Sequence, residues 1–179
     1  MEWSSDELRC GDHQRSVLRR HPGVQVGFSD AGAHLRNMAF YNSGLRLLRH
    51  VRQSAEAGAP FMTVEHAVHR LTGELADWYT LDAGHLRVGD RADIAVIDPT
   101  RLDEALDAYA EQPVEQFGGL SRMVNRNDDA VAAVLVGGRT VVRDGVSTGL
   151  VGNVRTGSFL RAGRKIAGPA VPSTVAAGG

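Results

Sequence analysis

The segment VQVGFSDAG at residues 24–32 decides the fold that the sequence predicts. Residues 24–28 form a short apolar run that ends at Ser29 and Asp30, and such a run between turn residues is typical of a buried strand. Helical spacing of apolar residues precedes this run and returns after it. Alternation of helix and strand favours a parallel α/β unit, in which ligands bind at the carboxyl ends of the strands.

Four segments carry helix signals. Ser4 and Glu7 have the spacing of a capping box at the start of the first segment, and Thr63 can cap the third. The predicted helices cover residues 6–20, 43–57, 64–71 and 74–79.

The second half of the chain changes to strand signals. Residues 92–98 read ADIAVID and predict a strand, and two further strands are predicted at residues 131–136 and 140–143. Gly137 and Gly138 separate the last two strands. A two-residue glycine turn predicts a β-hairpin, because glycine adopts the positive φ angles that such turns require.

The connection between these strands carries weaker signals. Thr100 can cap a short helix. Residues 112–129 contain Pro113 and a pair of glycines, which predicts an irregular segment.

Composition excludes several classes of protein. Hydrophobic residues make up 42% and charged residues 23% of the chain, so we expect a folded protein rather than a disordered one. The net charge of -1 gives no general attraction to nucleic acid or to an anionic membrane. The single Cys10 excludes an internal disulfide, and the longest apolar run, residues 130–136, is too short to cross a bilayer. We expect a cytoplasmic protein with neither nucleic-acid nor membrane partners.

Asp30 is the strongest candidate for chemistry, because a carboxylate that follows a buried strand can reach a cleft. It could bind a metal or act as a general base, and it could equally be a turn residue that caps the next segment. His34 follows four residues later and either shares that site or is exposed to solvent. Arg36 can hold a substrate carboxylate through a bidentate contact, or lie on the surface.

His66 and His69 stand about one helical turn apart, a spacing that is compatible with metal binding. The sequence offers no third ligand to accompany them. An exposed or packing position on the helix is the alternative.

Three segments, in this order, resemble the carboxyl-terminal part of the amidohydrolase superfamily, and most closely its N-acyl-D-amino-acid deacylase (D-aminoacylase-like) branch. They are VGFSDAGAH at residues 26–34, GHLRVGDRADIAVIDP at residues 84–99 and residues 131–145, which contain AVLVGGRTVVRDG. The resemblance covers residues 23–161.

The resemblance implies a metal-dependent hydrolase of non-peptide C–N bonds in N-acyl-amino acids, built as a (β/α)8 barrel with a small accessory β-sandwich. In such enzymes zinc activates a water molecule for attack on the amide carbonyl. Asp30 matches the aspartate that binds the metal and transfers the proton. We expect Ser29, His34 and Arg36 to contact the substrate.

By this resemblance, residues 1–80 belong to the last βα units of the barrel and residues 81–161 to the sandwich with its hairpin. Residues 162–179 are rich in Ala, Gly and Pro and lack apolar periodicity, so we expect a disordered tail there. A complete barrel takes about 250 residues, and no His-x-His motif occurs in the chain. We therefore expect the carboxyl-terminal part of such an enzyme, with a missing amino-terminal half as its partner. The alternative is a non-catalytic module that serves in binding or assembly.

Overall fold

The computed structural model of the protein describes residues 20–26, 42–108, 111–115, 118–123 and 127–163. Within these ranges lie three α-helices: α1 (Ser43–Glu56), α2 (Val64–Leu71) and α3 (Gly73–Trp78). They confirm the three helices predicted after residue 42, to within one residue at each end. The helix predicted at residues 6–20 lies outside the described ranges except for Arg20. None of the described helices is long and apolar enough to cross a membrane.

Local signals set the ends of these helices. The Thr63 hydroxyl accepts a hydrogen bond from the backbone N–H of His66 at 3.2 Å, which satisfies one of the free donors at the start of α2. Glu65 in the same turn places a negative charge near the positive end of the helix dipole. After α1, Gly58 adopts a φ of 72° and turns the chain away.

In the described part of the chain, six strands follow the helices: β1 (Ile94–Ile97), β2 (Glu111–Val114), β3 (Leu120–Met123), β4 (Val131–Val136), β5 (Arg139–Arg143) and β6 (Val146–Ser147). Four of them form one sheet in the order β1-β4-β5-β6, and β2 pairs with β3 in a separate two-stranded ladder. Each of these pairs is antiparallel, with Ile94 opposite Leu135 and Val134 opposite Val142.

The hairpin predicted around Gly137 and Gly138 is confirmed. Their φ angles are 56° and 77°, and both are positive, as the preferred two-residue hairpin turn requires. Just before β1, Asp93 accepts a hydrogen bond from the backbone N–H of Gly137 at 2.6 Å through its carboxylate oxygen Oδ1. This contact ties the start of one strand to the turn between two others.

The predicted fold class, an α/β chain with the last βα units of a (β/α)8 barrel, is wrong for the described residues. Their strands pair antiparallel and show no strand–helix–strand repeat. The strand expected at residues 24–28 is absent at residues 24–26, and residues 27–28 lie outside the described ranges. The physical reason is that a two-residue turn returns the chain antiparallel, whereas a parallel neighbour requires a crossover of about a dozen residues or more.

The connection between β1 and β4 also differs from the prediction. Instead of a helix capped by Thr100, it contains two 3₁₀ turns, capped by the side chains of Asp98 and Asp103. Each carboxylate accepts a backbone N–H two residues later at 2.8 Å, because aspartate competes well for such local donors. Part of the segment expected to be irregular forms β2 and β3.

The hydrophobic core lies between α1, α2 and the loops that follow β1. Nine buried residues form it: Leu47, Leu48, Val51, Phe61, Met62, Ala67, Leu102, Leu106 and Ala130. Full burial of a large apolar side chain contributes about 1.5–3 kcal/mol. The helices and the 3₁₀ segment therefore stabilise one another, and Ile97 connects the end of β1 to the same cluster.

Gly84 generates the first prediction. Its φ is 79°, and a Cβ there would lie 2.7 Å from the carbonyl oxygen of Thr72. We expect Gly84→Ala to lower the free energy of unfolding by about 2–4 kcal/mol, since left-handed strain of about 1–2 kcal/mol adds to a steric clash with backbone. Urea unfolding measures the loss.

Gly58→Ala is the matched control. Gly58 has a similar φ of 72° with nothing within 4 Å of the added Cβ, so only the strain of about 1–2 kcal/mol applies. Equal losses in the two variants would show that the close approach of Gly84 to Thr72 is unimportant.

Candidate functional site

The residues predicted to form the site lie outside the described part of the chain. Ser29, Asp30, His34 and Arg36 all fall within residues 27–41. The structure describes the chain on either side of them, at residues 20–26 and from Asn42 onward. Both flanks are held by buried polar side chains.

Arg70 holds the first flank. It lies on α2 with 1% of its surface exposed, which makes it one of the most buried side chains described. Its guanidinium donates to the carbonyl oxygen of His21 at 3.4 Å and to the carbonyl oxygen of Val24. Glu74 lies 3.7 Å from the same group and partly balances its charge. One arginine therefore fixes the chain just before the segment that carries Asp30.

Asn42 holds the second flank. It is buried at the start of α1 and donates its side-chain N–H to the carbonyl oxygen of Leu106 at 2.5 Å. Because Leu106 is itself a core residue, this bond attaches the chain that leaves the candidate segment to the interior. Neither anchor was predicted, although Arg70 follows the fully buried Ala67 by three residues and so lies on the same helix face.

A pocket of about 100 Å³ lies beside α3. Its lining residues are Asp77, Leu81, Asp82, Ala83, His85, Arg87, Asp90 and Arg91. Carboxylates and guanidinium groups both face it, so it suits a small polar molecule better than an apolar one.

One ion pair defines the wall of this pocket. The Nε2 atom of His85 lies 3.0 Å from the carboxylate of Asp77. The hydrogen bond from His85 lowers the pKa of Asp77 below its ordinary value of 3.8, and partial desolvation opposes this shift. The charges of His85, His69 and Arg87 lower it further. Asp77 therefore stays ionised to a lower pH than an ordinary aspartate does. The sequence analysis did not identify its pair with His85.

His66 and His69 do not gain a third ligand. Both are exposed on α2, as the alternative interpretation of the sequence expected. The ring of His69 lies against Gly73, where an added Cβ would be 2.9 Å from its Nδ1 atom. Over the ranges that the structure covers, no group of three or more His, Cys, Asp and Glu side chains is arranged to hold a metal ion.

The anchoring role of Arg70 can be tested by substitution. We expect Arg70→Met to lower the free energy of unfolding by about 2–4 kcal/mol, because two carbonyl groups and a carboxylate lose a charged donor. Arg70→Lys should lose less, since one ammonium can still reach a carbonyl. Urea unfolding of both variants checks this.

Glu74→Gln serves as the control for Arg70. The pair is long at 3.7 Å, so its loss should cost less than about 1 kcal/mol. A loss in Glu74→Gln as large as that in Arg70→Met would assign the stability to the ion pair and not to the carbonyl contacts.

The pair formed by Asp77 and His85 predicts a pH dependence. Because the pKa of Asp77 is lowered in the folded chain, its stabilising contribution is present above the ordinary pKa of 3.8 and is lost as the pH falls through the folded value. In His85→Ala we expect the pKa of Asp77 to rise toward 3.8. An NMR titration of the side-chain carboxyl carbons measures it.

Asp98 provides an internal reference in the same titration. Its pKa is lowered by hydrogen bonds from Thr100, which the His85 substitution leaves intact. An unchanged pKa for Asp77 in His85→Ala would contradict the assignment of the shift to His85.

The chain is similar to longer mycobacterial proteins. It is 54% identical over 168 residues to uncharacterized proteins from Mycobacterium tuberculosis and Mycobacterium bovis. The match covers 91% of this chain and 28% of each of those proteins, so the chain spans less than a third of the length of the curated relatives that it matches. No protein-family model and no solved structure matches the chain.

Proposed function

We propose that this chain is part of a metal-dependent, cytoplasmic amidohydrolase that hydrolyses non-peptide C–N bonds, with N-acyl-amino acids as its substrate class. The proposal takes up the resemblance of residues 26–34, 84–99 and 131–145 to the N-acyl-D-amino-acid deacylase branch. The proposed activity belongs to the complete polypeptide of which this chain is a part.

The observation that carries the proposal is the pairing of two of these motifs in one sheet. Strand β1, from the motif at residues 84–99, lies against β4, which belongs to the motif at residues 131–145. Ile94 faces Leu135, and Asp93 binds the backbone of Gly137. Segments about 40 residues apart in sequence thus form one structural unit. Their resemblances to the same family therefore support the proposal together and not as two unrelated matches.

The greater length of the mycobacterial relatives supports the proposal that this chain is one part of a larger enzyme. The mycobacterial proteins extend far beyond the region that matches this chain, and the match within that region is 54% identical. Ligands and binding surfaces that this chain does not provide can therefore come from the polypeptide beyond the match. We assign no catalytic step to residues beyond the matched region.

The described residues do not fit the zinc ion that the resemblance implies. A catalytic zinc site needs three protein ligands, and no such group occurs in the part of the chain that the structure covers. His85 and Asp77 form a pair without a third partner at ligand distance. We therefore derive no step through a metal from this structure.

The residues of this chain receive defined roles in the proposal. In the complete polypeptide Asp30 would be the residue of this chain that binds the metal, which would activate the attacking water; Asp30 would accept a proton from that water and pass it to the leaving nitrogen. Arg36 binds the substrate carboxylate, because a guanidinium can donate two parallel hydrogen bonds to it. Ser29 and His34 contact the remaining polar atoms of the substrate. Arg70 supports this site indirectly, since it fixes the backbone at Val24.

A chimera tests the proposal. The segment of the Mycobacterium tuberculosis relative that matches this chain is replaced by the chain itself, and the product is assayed with zinc on N-acyl-D- and N-acyl-L-amino acids. We expect release of free amino acid, and a loss of turnover of at least about 100-fold in Asp30→Asn, because that amide cannot accept the proton.

His69→Ala in the same chimera is the control and should leave turnover unchanged. Absence of hydrolysis by both the folded chimera and the intact relative would contradict the amidohydrolase proposal and favour a binding or assembly module. Full activity of Asp30→Asn would instead show that Asp30 has no catalytic role, and amide hydrolysis would still be the reaction of the enzyme.

A further inference from the structure

Two tight turns build the pocket beside α3. At the end of α3, the backbone N–H of Leu81 donates to the carbonyl oxygen of Ala76 at 2.7 Å, which closes the helix. In the second turn, the backbone N–H of Asp90 donates to the carbonyl oxygen of Arg87 at 3.0 Å, and the Asp90 carboxylate accepts the N–H of Arg87 at 2.9 Å. Leu81, Arg87 and Asp90 all line the pocket, so these bonds fix its backbone before a ligand binds.

Two guanidinium groups of the pocket are short of acceptors. The side chain of Arg91 is only 12% exposed, and its Nε atom is buried without a hydrogen-bond partner among the described residues. Its ion pair with Asp93 is long, at 3.5 Å. No hydrogen bond or ion pair joins the guanidinium of Arg87 to the described part of the chain. Charged donors that leave water require acceptors, and a carboxylate can supply two to one guanidinium.

Carboxylates line the same pocket. Asp77, Asp82 and Asp90 accompany the two arginines in its wall. The described side-chain hydrogen bonds use Oδ1 of Asp77, which lies 3.0 Å from His85, and Oδ2 of Asp90. An ionised carboxylate accepts hydrogen bonds at both of its oxygens. Asp77 and Asp90 therefore retain acceptor sites for a ligand that carries N–H donors and a positive charge.

The mixture of charges selects against simple ions. An anion in the pocket would lie near three carboxylates, and a cation would lie near two guanidinium groups, so repulsion would offset much of the attraction in either case. Within the ranges that the structure describes, no group of side chains is arranged to hold a metal ion. The charged group that suits the aspartates is therefore an ammonium group. A molecule with one ammonium and one carboxylate group satisfies both sets of side chains.

The volume of the pocket limits the size of such a molecule. The pocket holds about 100 Å³, whereas an engineered cavity that binds benzene holds about 150 Å³. We propose that the pocket beside α3 binds a small zwitterionic amino acid, such as glycine or alanine, with its carboxylate on Arg87 and Arg91 and its ammonium group on Asp77 and Asp90. This proposal concerns binding alone and does not rest on the proposed hydrolase activity.

An NMR titration of the full chain with glycine tests the site. We expect saturable shifts of the backbone amide signals of residues 81–91, with a dissociation constant of about 1–10 mM, and no shifts at residues 143–147 on the far side of the sheet order. Acetate lacks the ammonium group, methylamine lacks the carboxylate, and N-acetylglycine has its nitrogen blocked. We expect each of these three probes to bind at least about tenfold more weakly than glycine, because each loses hydrogen bonds to charged partners.

Two exposed lining residues allow one charge to be removed at a time. Arg87→Gln should weaken glycine binding at least about fivefold and strengthen methylamine binding, because a repulsive positive charge is lost. Asp90→Asn keeps an oxygen for the N–H of Arg87 and should weaken glycine binding while it strengthens acetate binding. Damage to the fold would weaken all probes together. Arg139→Gln, on β5 and exposed outside the pocket, is the control and should leave glycine binding unchanged.

Several results would overturn the proposal. Acetate or methylamine that binds as tightly as glycine would make the pocket a site for a simple ion. Absence of saturable shifts at residues 81–91 in the folded chain would show that the pocket holds only water. Weaker binding of both glycine and acetate in Asp90→Asn would contradict a contact between that carboxylate and the ammonium group. None of these measurements involves hydrolysis, so failure here is separate from failure of the proposed function.

Discussion

The turn at Gly137 and Gly138 is the constraint on which the sheet depends. Two successive residues with positive φ reverse the chain within the shortest possible distance, and the two strands that leave the turn must then run antiparallel. Once β4 and β5 are paired, β1 and β6 can add only at the two remaining edges. The hydrogen bond from the Gly137 N–H to Asp93 fixes which segment occupies the first of these edges.

Local signals in the sequence were sufficient for the three helices after residue 42 and for the hairpin, but not for all the strands or for their arrangement. The helix that starts after Thr63 and the hairpin turn rest on contacts between residues at most three positions apart, and both were predicted. The direction of strand pairing is a non-local property. The alternation of helix and strand signals wrongly suggested a parallel α/β unit, and the family resemblance wrongly suggested part of a barrel. The pairing of β2 with β3 was missed because Pro113 and the glycines at positions 118 and 119 also fit an irregular loop.

The same distinction applies to the site. Asp30 is a candidate because of its position after an apolar run, and it lies outside the described residues. Arg70 was not predicted, because its partners are backbone carbonyls 46 and 49 residues away. Every residue has a backbone oxygen, so a sequence cannot reveal which carbonyl groups a buried arginine will bind. Burial of a charged group nevertheless demands such partners. A charged residue on the apolar face of a predicted helix is therefore a sign of an anchor between distant segments.

The position of β1 at the edge of the sheet has a consequence for the synthesis of the protein. β1 ends at Ile97, whereas its partner β4 begins only at Val131. At a translation rate of about 5–20 residues per second, β1 leaves the ribosome about 2–7 seconds before β4 is complete enough to pair with it. During this interval the apolar strand has both edges free. The helices that precede β1 in the chain are already synthesised by then, and they are the elements available to shield it until the hairpin emerges.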